Sequence, residues 1–127
     1  MAERFAESYL RLCQRQGRAL VATLEARPGD WLLGPKGLRL AGDPPERAAG
    51  ELVVPDLERL LELLRREAAV VVLDTQQDDF GLSAFDKMNR ALANVVSRNA
   101  PEAALRALLF IRSERAANEI PLTPVQG

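Results

Sequence analysis

Two turn signatures stand three residues apart, Arg27-Pro28-Gly29-Asp30 and Gly34-Pro35-Lys36-Gly37. Proline presets the first central dihedral and removes a backbone donor, and glycine accepts the positive dihedral that follows, so no helix runs through this stretch. The flanking pieces are of strand length: Ala19–Ala26, Trp31–Leu33 and Leu38–Ala41. In the first, Leu20, Ala22 and Leu24 alternate with Val21, Thr23 and Glu25. The spacing predicts a three-stranded antiparallel meander. A sheet this small needs a helix against its apolar face. Residues 2–16 offer one, with Phe5, Tyr9, Leu12 and Cys13 at helical spacing and Gly17 placed to end it.

Further along, Asp43–Gly50 reads as a surface loop and Leu52–Val54 as a short strand. Asp56 is placed to cap a helix reaching about Glu67, its core face formed by Leu57, Leu60, Leu61 and Leu64. Ala69–Leu73 has the unbroken apolar run of a buried strand, and residues 75–81 form a polar loop. Ser83 with Asp86 resembles a capping box opening a helix to about Arg98, with Phe85, Met88, Leu92, Val95 and Val96 on its apolar face and Asn99 at its end. Ala103–Ile111 fits either a buried strand or an apolar helix; a strand centred on Leu108–Ile111 is the expectation. Pro121 and Pro124 make residues 119–127 an extended tail. The fold class predicted is α+β: a single domain over residues 1–118, with an antiparallel meander and additional strands packed against about three amphipathic helices.

The chain of 127 residues contains no histidine. That removes Ser-His and Cys-His nucleophilic pairs, histidine general bases and histidine-ligated metals. Cys13 is the single cysteine, so no internal disulfide or multi-thiolate site can form, and its position on a helical apolar face makes it a buried, inert side chain. No apolar run has the length a membrane helix needs. The N-terminal residues mix acids with apolar side chains, unlike a secretory signal, and the expected location is cytoplasmic. Net charge is -1, basic at both ends and acidic through residues 43–83, with few aromatics, so nucleic-acid binding is not expected.

Chemistry can then rest only on carboxylates, amines or arginines. Asp74, Asp78 and Asp79 follow the end of a strand closely, where ligands gather in open α/β sheets, and three carboxylates can hold magnesium and orient a phosphate. As ordinary structure, Asp74 ends a strand while Asp78 and Asp79 sit near the next helix start. Val71-Val72-Leu73-Asp74-Thr75-Gln76 resembles the nucleophile strand of haloacid-dehalogenase-type phosphatases, with Gln76 standing where these place the second aspartate, their general acid. Leu73-Asp74 followed by Asp79-Phe80-Gly81-Leu82 is similar to anti-sigma-factor antagonist domains, with Phe80 in the place of their serine. Neither resemblance carries its family's chemistry onto these residues.

For partners, Arg4, Arg11 and Arg15 form a basic stripe opposite the apolar face of the first helix, and Lys87, Arg90, Asn94 and Arg98 form a second polar face. Trp31 either offers a stacking surface or covers the sheet edge or core, and Ile120, Leu122 and Val125 in the tail can anchor it in a groove of the same subunit or, as expected here, of a neighbouring one. No catalytic residue, cofactor or metal is assigned. The sequence favours a non-catalytic homodimeric protein-interaction domain. A magnesium-dependent enzyme or phosphate-ligand binder using the aspartates is the alternative, and a weak nucleic-acid binder the third reading.

Overall fold

A computed structural model describes residues 5–119. Helix α1 (Glu7–Gln14) buries Tyr9, Leu12 and Cys13, as its spacing predicts, and the Phe5 ring packs on Tyr9 with centroids 5.8 Å apart. Tyr9 is the anchor, its hydroxyl donating to the Pro55 carbonyl across the core. The helix stops at Arg15, and the Gly17 N–H closes the turn on the Leu12 carbonyl at 2.8 Å. A Cβ on Gly17 would stand 3.1 Å from both that carbonyl and Leu105, so glycine permits the close approach.

The expected strand over Ala19–Ala26 is not formed. Arg18–Val21 is a short helix, α2, that buries the adjacent Leu20 and Val21, and Leu24 is buried one turn on. Burial at i, i+1 and i+4 is helical geometry, and the Thr23 hydroxyl bonds back to the Leu20 carbonyl at 2.7 Å. The two turns are where expected: Gly29 has φ 87° and Gly37 φ 111°. They frame β1 (Trp31–Gly34) and β2 (Gly37–Leu40), and the third strand of this sheet comes from β3 (Leu52–Val54), giving the order β2-β1-β3, all antiparallel. Glu51 fastens the intervening loop: it takes two hydrogen bonds from Arg39, at 2.6 and 2.7 Å, and one from the Ala48 N–H at 2.7 Å. These partners, Arg39 first, hold its carboxyl down to about 2.

Helix α3 (Leu57–Glu67) starts where Asp56 accepts from the Arg59 N–H at 2.8 Å, and it buries Leu60, Leu63 and Leu64. The next segment departs twice from expectation. In place of a helix from Ser83 to Arg98 there is an antiparallel meander, β4 (Val70–Gln76), β5 (Asp79–Phe85) and β6 (Ala91–Ser97), in sheet order β4-β5-β6. Asp86 does not cap a helix. Its Oδ1 accepts from the Met88 and Arg90 N–H groups at 2.8 and 2.9 Å, and Asn89, at φ 62°, completes the turn between β5 and β6.

The second departure is α4 (Ala100–Glu119), a helix where a strand centred on Leu108–Ile111 was expected. Asn99 begins this helix instead of ending one, accepting from the Glu102 N–H at 2.8 Å. Alanines at 100, 103, 104 and 107 favour helix over strand, and all are buried together with Leu105, Leu108 and Ile111. The first three turns of α4 are thus apolar nearly all round, the pattern of a central helix. One side lies against β5 and β6, and α3 and α1 also pack on it. A single continuous core runs from Phe5 to Ile111 and joins both sheets. The protein is α+β.

Candidate functional site

Strand β4 begins Val70-Val71-Val72-Leu73, and none of these four aliphatic residues is buried. The sequence predicted a buried strand here; the sheet order places it at an edge. Its inner neighbours Leu82 and Ala84 on β5, by contrast, are fully buried against the core. Val70 is 49% exposed and Val72 44%. Register places Val70, Val72, Asp74 and Gln76 on the outer face beside Phe85, Ser83, Gly81 and Asp79. Asn94 and Val96 of β6 complete that face, with Val96 55% exposed. Among the described residues no strand pairs with the free side of β4, so the backbone donors and acceptors of every second residue along this seven-residue strand are open.

The aspartates lie at the far end of this strand. Asp74 pairs in register with Gly81 and leans over it, its Oδ1 2.6 Å from where a Cβ would stand. Asp79 pairs with Gln76 on the same face, and Asp78 is exposed in the tight turn, after Gln77 at φ 56°. The strand carrying Asp74 is antiparallel, so no parallel-sheet crevice lies at its end. Among the described residues no three carboxylate or thiol side chains group closely enough to hold a metal ion. The three aspartates form an acidic hairpin tip, without an ion pair among the described residues.

Other predicted contact residues are scattered. Arg11 is exposed and paired with Glu7 at 2.6 Å, and Arg15 is exposed past the end of the shortened α1. Trp31 is half-buried in the central strand of the first sheet, packed against the core. Arg4 and the tail residues Ile120, Leu122 and Val125 lie outside the described residues. The proposed second polar face dissolves with its helix: Lys87 and Arg90 flank a turn, and Asn94 is on β6. Cys13 is buried as expected, and burial pushes its thiol up to about 11, where it is no nucleophile.

Sequence reasoning missed a cleft of about 310 Å³ between α2, α3 and α4, lined by Leu20, Leu63, Arg27, Arg59, Arg66 and Arg112 among others. Its arginines are mostly engaged. Arg59 is nearly buried, binding Asp30 at 3.1 Å and the Glu25 carbonyl at 2.9 Å, while Arg27 meets Glu62 at 3.4 Å and Arg112 meets Glu67 at 3.6 Å. An anion entering would compete with carboxylates already in place. The cleft is an ion-paired seam between elements.

No family model, curated protein or solved structure matches this chain.

Proposed function

We propose that this chain is a non-catalytic protein-interaction domain that works as a homodimer in the cytoplasm, docking through the open edge of the β4-β5-β6 sheet. The observation that carries this reading is β4 itself: an aliphatic strand with Val70 and Val72 exposed and Val71 and Leu73 only partly buried against the core, whose outer side pairs with no strand among the described residues. Soluble domains usually blunt such an edge with charge, proline or a covering element. Here the first four positions carry none of these, and the apolar outer face continues to Val96. Strand addition satisfies the open backbone groups and removes the aliphatic side chains from water together. The absence of histidine and the lack of a carboxylate cluster among the described residues leave little for catalysis to use.

Sedimentation of the full chain tests this, with Val72→Lys as the comparison. Lysine at an exposed edge position should leave the fold intact by circular dichroism and abolish self-association. A full chain that is monomeric at micromolar concentration, or association unchanged by Val72→Lys, would contradict it.

A further inference from the structure

Resting on that reading, we infer that β4 pairs with β4 of a second copy, antiparallel about its midpoint Leu73, joining two three-stranded sheets into one of six strands. The sheet has two outer strands, β4 and β6, and charge separates them as candidates. Strand β6 is flanked by Arg90 and Arg98, each four residues from its midpoint Asn94. Antiparallel self-pairing there sets Arg98 opposite Arg90, a cation already paired with Asp86 at 3.0 Å, so it offers Arg98 no free opposite charge and places two cations face to face at both ends.

Strand β4 has opposite charges at its two ends. It follows Arg65 and Arg66, both exposed at the close of α3, and runs into the Gln77-Asp78-Asp79 turn. Neither arginine has an ion pair among the described residues, and neither do the aspartates. Pairing about Leu73 sets Ala69 opposite Gln77 and Ala68 opposite Asp78 of the other copy. The acidic turn of each chain then comes to the basic helix end of its partner, and two-fold symmetry makes the contact twice. On the inner face Leu73 meets its own copy, with Val71 diagonal to it. On the outer face the two Val72 side chains are diagonal neighbours. This isologous contact closes at two chains, whereas joining β4 to β6 of another copy is head-to-tail and builds rings or open filaments.

Cysteine cross-linking and charge exchange in the full chain test the pairing. Directly opposed Cα atoms of an antiparallel pair are about 4.5–5.5 Å apart, within disulfide range. Leu73→Cys should therefore yield a linked dimer on mild oxidation, while Asn94→Cys stays unlinked; buried Cys13 keeps out of the reaction. Asp78→Arg with Asp79→Arg, and separately Arg65→Glu with Arg66→Glu, should each weaken dimerisation about tenfold at low salt. Combining all four changes should restore it. A dimer that fails to link at residue 73, links at residue 94, grows beyond two chains, or ignores the charge exchange overturns this pairing while the homodimer reading stands. A monomeric full chain overturns both.

Discussion

Tyr9 is the chain's only tyrosine, so its ionisation can be followed without interference. Its side chain is 1% exposed and its hydroxyl donates to the Pro55 carbonyl. Burial, and then the neighbouring Cys13 thiol, raise its pKa far above the ordinary 10.0. The unfolded chain releases this proton near pH 10.0, whereas the folded chain keeps it. The stabilisation is therefore complete below pH 10 and is lost as pH rises above it, by about 1.4 kcal/mol per pH unit at most. Cys13 behaves the same way lower down: its contribution is complete below 9.0 and lost by about 11. Both losses run the same way, so the folded chain weakens progressively from about pH 9.0 upward. Alkaline titration followed by phenolate absorbance and circular dichroism should show one cooperative transition in both signals. Tyr9→Phe should lose about 1–2 kcal/mol at neutral pH with the missing hydrogen bond, yet show a shallower alkaline loss than the unmodified chain. A phenolate that forms reversibly near pH 10 while the secondary structure is unchanged would refute the burial and the anchoring role.

Glu51 works in the opposite direction: with its folded pKa depressed from 4.5 to about 2, its contribution is whole above 4.5 and lost as pH falls through about 2. Protection of the amides in residues 42–50, measured against the intrinsic exchange rate at each pH, should fall across that window, and Glu51→Gln should show the lower protection already at neutral pH. Gly17→Ala should cost about 1–3 kcal/mol in urea unfolding, because the Leu12 carbonyl it would crowd at 3.1 Å is held by a hydrogen bond. Gly81→Ala should fall within about 0.5 kcal/mol of the parent, since the crowding atom is the end of an exposed Asp74 side chain that can swing away. Millimolar magnesium should leave the melting temperature unchanged, and a rise abolished by Asp74→Asn would revive a metal site at the hairpin tip.

Local signals read correctly where one physical device decides the structure. Asp56 caps α3, the Pro28-Gly29 and Pro35-Lys36 turns form, and Phe5, Tyr9, Leu12 and Cys13 share a buried face. The misreadings arise where two periods fit one stretch. Residues 85, 88, 92, 95 and 96 fall on a helical face, but Phe80, Leu82 and Ala84 also alternate as a strand, and Met88 proves to be a turn residue, 74% exposed. Asp86 is common to both readings, since the residues that cap helices also make turns. In α4 the length of the apolar run could not separate strand from helix, and the alanine content was the better guide. Of the proposed docking edge, the sequence revealed the aliphatic run at 70–73 but not the exposure of Val70 and Val72. Edge position depends on sheet order, which no local pattern encodes.

The central claim, that the free side of β4 is covered in the working protein, is tested most directly by amide hydrogen exchange at single-residue resolution across a dilution series. In a β4-paired dimer, the outward-pointing amides between Val70 and Gln76 should be protected at high concentration and lose protection together as the dimer dissociates, while those on the free side of β6 stay unprotected throughout. Outward β4 amides that exchange as fast as unpaired backbone at every concentration would contradict the account.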